Sequence, residues 1–536
     1  MLIRNPKLLM ASASLVLAVH VLPADIPASP WVPLRQQALA ASATGSFNKA
    51  EELLHAAIVS LQGSSGQAKE AVGIWNQLGL VHQAEYKLEE AASNFQHALE
   101  LNQLLTEPNT AQTASLLSNL GTISQSQGKF KEAEKYFRQS YALLEEKHLT
   151  ETATAAPVLN NLALDLQQQG RYKEAEQFYS LAFAAFHRVQ AENSPEFAKL
   201  LMNSGTFDFE TGRPADALPK HRRVIQIQST LPSVRDYDRG YALNNLGLTL
   251  FELNHLSEAE SCFREALELE KHGPVHIKVV ETLNSLSVLE SKTGRLEAAK
   301  QHAQQALQLA EQNGERNDPV FATIWNNLGM IAVAQHDLRE AKRMFEKAKE
   351  RWIVTVGTNS PQYSATLSNL AGLESKHGRH KEARKMLSET LRIDQARWGP
   401  NHPQVAADLA NLASQLFFLR DYAEAIDLYK RAERIQEARL GPEHSDAAGT
   451  WRNLAVTYEL AKQYGDAETA YRSAIKGYES GSGSGSLELS KCLREYAALL
   501  RQLQRFSEAA EADVRASGIE VKTAIKAERA GLAFRD

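Results

Sequence analysis

Cysteine is almost missing: Cys262 and Cys492 are the only two in 536 residues. A disulfide framework is excluded, and the two thiols read as buried side chains on well-separated parts of the chain. Net charge is similarly sparse, −5 at pH 7. That is too little of either sign to imply nucleic acid or an acidic membrane as partner. Catalytic and metal motifs are missing too: the sequence holds no His-Glu-x-x-His, Gly-x-Ser-x-Gly or Cys-x-x-Cys and no glycine-rich dinucleotide loop. His377 and His380 stand three apart without a further ligand cluster nearby, so neither a metal nor a cofactor is expected, and no enzyme. The string "GSGSGS" at 481–486 lacks the Gly-Lys-Ser/Thr of a phosphate loop.

What the sequence has instead is a period. Taking one polar anchor per repeat gives Gln36, Gln77, Asn119, Asn161, Asn203, Asn245, Ser285, Asn327, Asn369, Asn411, Asn453 and Glu495, spaced by 42 residues except for one gap of 41 and one of 40. Such a period marks a solenoid, in which a repeat cannot bury its apolar face alone and must stack on its neighbours. Two residues after each anchor the side chain is small, from Ala38 and Gly79 to Ala455 and Ala497. Fourteen after, it is always alanine, from Ala50 to Ala509. Small side chains at matched heights let two helices approach closely. Eleven after the anchor lies an aromatic residue or leucine in most repeats, with Pro214 and His380 as departures, placed to wedge the corner between the helices.

Helix boundaries follow from the same register. Thr110, Thr152, Ser194, Asp236, Asp318, Ser360 and Ser486 stand nine before their anchors as N-caps, His276, His402 and His444 fill the same place, and Pro195, Pro319, Pro361 and Pro403 come directly after. Gly273, Gly357, Gly399, Gly441 and Gly483 sit where the preceding helix should end in a left-handed turn. Each repeat is therefore helix, short turn, longer helix, loop.

These residues resemble the tetratricopeptide repeat family in its 42-residue, kinesin-light-chain-like form; "WGPNHPQVA" (398–406) and "LGPEHSDAA" (440–448), each running on to "NLA", carry the likeness. The resemblance implies an all-α, right-handed α-solenoid of about twelve helix-turn-helix units over residues 34–517, with a C-terminal capping helix or tail over 518–536. It implies a non-enzymatic scaffold that binds an extended segment of a partner protein in its concave groove. A regulatory receptor for a short signalling peptide or small ligand is the alternative. The first helix of each repeat lines that groove in the family, where positions four and one before the anchor and three and six to seven after it usually face the ligand.

The anchors form a ladder on that helix. An amide carries both donor and acceptor, so Asn119, Asn161, Asn203, Asn245, Asn327, Asn369, Asn411 and Asn453 could pair with the backbone of an extended peptide whatever its sequence. The competing role is hydrogen bonding between adjacent repeats. Phe209, Phe251 and Phe417, six after their anchors, either add apolar pockets to the groove or belong to the core.

The amino terminus differs in kind. Arg4 and Lys7 precede an uncharged stretch, Leu8 to Leu22, that Pro23 closes. It is shorter than the ~20 residues that span a bilayer. Residues 1–28 read as a signal peptide or, alternatively, an N-terminal membrane anchor, so the expected location is periplasmic or extracellular, with a membrane-anchored or cytoplasmic protein as the alternative. Self-association through an uncovered terminal repeat is a further expectation, against which the charged tail "KAERAGLAFRD" argues.

Overall fold

The computed structural model describes residues 30–61, 68–231, 236–271, 276–313, 319–440, 445–480 and 487–532. The expected signal segment, and the cap and loop residues Gly273, Asp318, Gly441, His444 and 481–486, lie outside them.

Among the described residues there are twenty-four helices and no strand. In chain order they are α1 (Trp31–Ala43), α2 (Phe47–Leu61), α3 (Ala68–Ala84), α4 (Leu88–Gln103), α5 (Thr110–Ser126), α6 (Phe130–Glu146), α7 (Ala155–Gln168), α8 (Tyr172–Arg188), α9 (Pro195–Glu210), α10 (Pro214–Thr230), α11 (Asp236–Glu252), α12 (Leu256–Glu270), α13 (His276–Lys292), α14 (Leu296–Asn313), α15 (Val320–Ala334), α16 (Leu338–Thr355), α17 (Pro361–Lys376), α18 (His380–Trp398), α19 (Pro403–Phe418), α20 (Tyr422–Leu440), α21 (Ser445–Leu460), α22 (Tyr464–Ser480), α23 (Leu487–Gln502) and α24 (Phe506–Leu532). Every even helix begins on the residue eleven after an anchor, Pro214 and His380 included. The expected all-α solenoid is the observed fold. Residues 30–210 with 214–289 form one compact unit, and 290–532 with 211–213 form the other.

Within the repeats, α13 and α14 aside, the odd helix packs on the even helix that follows it. The twelve alanines fourteen after the anchors are all buried. Their partner is a steric fit between two further positions. A Cβ added to Gly79, Gly121, Gly247 or Gly329 would stand 2.5–2.7 Å from the ring of Phe95, Phe137, Phe263 or Phe345, closer than carbon atoms can approach. Each ring lies eighteen after its anchor. Where the small residue is alanine, the partner at that position changes shape: Ala163 stands with Tyr179, Ala371 with Leu387, Ala413 with Tyr429 and Ala455 with Tyr471.

The turn between paired helices needs one residue in the left-handed region, nine after the anchor. Glycine supplies it at Gly45, Gly128, Gly170, Gly212, Gly294 and Gly378, with φ between 73° and 80°. Tyr86, Asn254, His336, Arg420, Lys462 and Gln504 adopt it without that freedom, at φ between 59° and 64°. Gly357 and Gly399 have φ of 82° and 81°, in keeping with the expected helix ends.

Caps differ from expectation at several places: Asp236 and His276 are already helical, α7 opens at Ala155 after Thr154 rather than after Thr152, and α15 opens at Val320, one beyond Pro319. Ser360 and His402 accept from the backbone N–H of Tyr363 and Gln404, and Ser194 accepts from Phe197 at 3.1 Å. At α5 the cap is Asn109, whose side chain takes the Gln112 N–H at 3.1 Å, and Thr110 is already helical. The expected tail helix, Glu520 to Leu532, is the uninterrupted end of the 27-residue α24 rather than a separate element.

A second position varies from repeat to repeat inside the core. The residue twenty-five after one anchor meets the residue three before the next. Trp352 donates to Thr366 at 3.1 Å and Thr282 donates to Glu270 at 2.8 Å. Between α18 and α19 the pair is two acids, Asp394 and Asp408, both buried, with Gln404 donating to Asp408 at 3.2 Å. Desolvation raises both carboxyl pKa values, and the neighbouring carboxylate raises that of Asp408 further.

Two outcomes follow from these contacts. Gly329→Ala should cost about 1–3 kcal/mol in thermal or urea unfolding through overpacking, and Gly329→Ala with Phe345→Leu should recover most of it, since alanine with leucine already works at Ala371 and Leu387. Additive losses would refute the fit. For the acid pair, the native state keeps protons that an unfolded aspartate releases near pH ~4, so stability should fall as pH rises from there through neutrality. Asp408→Asn should melt above the parent at pH 8 by circular dichroism and show a shallower pH dependence.

Candidate functional site

The odd helices touch one another across repeats, α5 with α7, α7 with α9 and α9 with α11 in one unit, and α15 with α17, α19 with α21 and α21 with α23 in the other. The closer-spaced row of helices is the inner side of a bent stack, so the anchor face of the odd helices is the candidate groove.

On that face the anchors obey one rule. Each is positioned to reach the residue that precedes the anchor of the repeat before. Asn119 donates to Asn76 at 2.9 Å, Asn161 to Ser118 at 3.2 Å, Asn203 to Asn160 at 3.2 Å, and Asn369 to Asn326 at 2.9 Å. Gln77 accepts from Arg35 at 3.1 Å. Asn245 reaches the Met202 sulfur at 3.3 Å and the Tyr241 carbonyl at 3.1 Å. Glu495 departs from asparagine because its counterpart is Arg452, which grips it with two bonds of 2.7 and 2.5 Å.

The ladder therefore separates into three groups. Asn203, Asn245 and Asn327 are buried. Asn119, Asn161 and Asn369 are half-buried and stapled to the preceding repeat. Asn411 and Asn453 are exposed. The residues that would staple these last two are Ser368 and Ala410, and alanine has nothing to offer an amide. Their side chains make no hydrogen bond among the described residues.

The aromatic expectations fall differently. Phe251 is buried and Phe209 half-buried. Phe417 is half-buried against Phe418 and Tyr422, with ring centroids at 5.4 and 6.0 Å. The apolar residues that face outward lie one position further on: Phe418 and Leu460, seven after Asn411 and Asn453, are 53% and 49% exposed. Met330, three after its anchor, is also exposed. A step of one residue turns ~100° about the helix, which moves the side chain from the corner beneath the even helix to the open face. Phe418 is held in place by the His380 imidazole, stacked on its ring at 4.6 Å and 12°, while His380 Nδ1 contacts Gln415 at 3.1 Å.

One group of metal-ligating type occurs elsewhere: the donor atoms of Glu51, His82 and Glu85 lie within 4.8 Å of one another. Spacing along the sequence does not reveal it, because Glu51 comes from α2 and the others from the end of α3 and its turn. The Lys87 ammonium bridges Glu51 and Glu85 at 3.0 Å each and supplies the countercharge.

The tetratricopeptide repeat model matches residues 70–146, 154–229, 196–271, 244–312, 320–396 and 404–480. No curated protein matches the chain. Among solved structures it is similar to the apo quorum sensor NprR from B. thuringiensis, at 16% identity over 67% of this chain and 97% of that one, TM-score 0.49. It is also similar to BtubC (BKLC) from P. vanneervenii, at 23% identity over 44% and 91%, TM-score 0.34. A human IFIT1 dimer with m7Gppp-AAAA matches at 15% identity over 92% and 96%, TM-score 0.45. No enzyme family is indicated.

The two kinds of anchor should separate on substitution. Asn369→Ala removes a staple and should lower stability by about 1 kcal/mol, whereas Asn411→Ala and Asn453→Ala should leave urea unfolding unchanged. Equal losses at all three positions would show that exposure does not distinguish them.

Proposed function

Because the chain belongs to the tetratricopeptide repeat family, we propose that it is a non-catalytic binding scaffold that holds an extended segment of a partner protein, and that the contact is concentrated on α19 and α21. One observation carries the reading. Asn411 and Asn453 are exposed amides without protein partners, and each has an exposed apolar side chain, Phe418 or Leu460, two helical turns along the same helix. The chemistry suits an extended peptide. Each amide offers a donor and an acceptor to its backbone, and the phenyl and leucyl groups take apolar side chains. Adjacent odd helices stand ~10 Å apart. An extended chain advances ~3.3 Å per residue, so about every third residue of the ligand would meet a new helix.

Several modest contacts of this kind give a specificity for an apolar residue at intervals of about three rather than for one anchor. The amino-terminal segment, basic and then apolar, supports export as the setting: the partner is then a protein of the cell envelope or exterior. Among the described residues, no helix is long and apolar enough to cross a membrane.

The experiment is capture from the envelope fraction of the native organism with the full chain, followed by binding of tiled peptides from the recovered proteins. Phe418→Ala and Leu460→Ala should each weaken the best peptide about tenfold, and Asn411→Ala with Asn453→Ala should do so by a similar factor, all without change in melting. Binding that survives these variants but is lost on altering the opposite, even-helix face would overturn the reading.

A further inference from the structure

The last helix differs from its eleven counterparts on the side it turns to solvent. Nineteen residues after the anchor, the even helices carry His55, Gln96, Arg138, Ser180, Arg222, Arg264, Gln304, Glu346, Ser388, Lys430 and Arg472, and in α24 alone the residue is apolar, Val514. In earlier repeats this position reaches forward: Arg138 pairs with Glu174 at 3.2 Å and Arg222 with Glu258 at 2.8 Å, each in the next repeat. In α24 the side chain at this position is not one that suits water. Val514, Val521 and Ile525 are 72%, 57% and 46% exposed. In helical register they share one face with Gly518 at its centre.

Gly518 adds a second observation. A Cβ placed there meets nothing within 4 Å, so no packing inside the chain calls for glycine, although glycine in a helix interior costs about 1 kcal/mol against alanine. The flank of the stripe supplies a third. It carries Glu511 in the first half of α24 and Lys522 in the second. Other charges on this helix are satisfied within the chain: Asp513 pairs with Arg501 and Arg494, Arg515 with Glu479, and Glu520 with Arg494. Glu511 and Lys522 make no ion pair among the described residues.

We infer that α24 is a self-association surface, on which a second copy of this chain docks its own α24 antiparallel, crossing near Gly518. A two-fold axis there turns the Val514 end of each stripe onto the Ile525 end of the other. It also brings Glu511 of each copy toward Lys522 of its counterpart, and the missing Cβ lets the backbones approach. An isologous contact needs this self-complementarity, because both surfaces are the same residues. A parallel arrangement would set acid against acid. This surface is on α24, apart from the peptide face of α19 and α21, and stands independently of it.

Sedimentation velocity of the full chain from about 1 to 50 μM, the range in which a modest helix-helix interface dissociates, tests it. The parent should pass from monomer to dimer. Val521→Glu should raise the dissociation constant at least tenfold with melting unchanged, and Glu511→Lys should weaken association severalfold. Glu511→Lys combined with Lys522→Glu should restore it. A parent that stays monomeric at the highest concentration overturns the inference, as does a dimer indifferent to Val521→Glu. A failed rescue by the double reversal rejects the antiparallel register, and association of the parent with neutral lipid vesicles in place of dimerisation would assign the stripe to a membrane surface instead.

Discussion

Everything in this array hangs on how closely two helices can approach within one repeat. The residue two after the anchor has almost no room, because a ring or a branched chain from the partner helix fills the space where its side chain would stand. Glycine goes with phenylalanine in four repeats and with His221 at Gly205, and alanine goes with tyrosine or leucine at Ala163, Ala371, Ala413 and Ala455. Backed by an alanine buried in every even helix, that fit sets the spacing of the pair. The spacing in turn brings the anchor within reach of the preceding repeat. Recognition chemistry on the inner face is possible only because the packing beneath it is uniform.

The same atoms serve two purposes on that face. An anchor asparagine engaged with its neighbour has spent the donor that a peptide would use, and where it is also buried a ligand cannot touch it at all. Asn453 escapes because Ala410 stands where Asn76, Asn160 and Asn326 stand elsewhere; Asn411 stays exposed opposite Ser368, although Ser118 in the same place holds Asn161. The ligand face is thus set by what the adjoining position fails to provide, and cohesion there must come from the core, where Leu412, Leu416, Leu454 and the ring of Tyr458 are buried together.

Much of this was legible in the sequence, and the reason is the repetition itself. A residue type recurring at one register position is a statement about packing, so helix starts, the buried alanines and the small residues could be read directly. The ladder could be read as a ladder but not apportioned, since the anchor looks alike whether stapled or free; the distinguishing residue is the one before the anchor a full repeat earlier. Phe417 and Phe418 show a finer limit. Both fit a groove register that is broad by one residue, and only the turn of the helix decides that the first packs on Tyr422 while the second faces outward. The shift of the α5 cap from Thr110 to Asn109 is of the same kind, a choice between two adjacent residues that both suit the role. The cluster of Glu51, His82 and Glu85 had no sequence signal, because it is assembled from separate helices.

The pairing between each anchor and the residue one repeat back also bears on how such a protein can change its ligand over evolutionary time. The side chain that decides whether an amide is engaged lies one repeat away from the amide it controls, outside the tight fit between paired helices. A single codon at that position can expose another rung or withdraw one, so a binding window can lengthen or drift along the array while the fold beneath it is left alone.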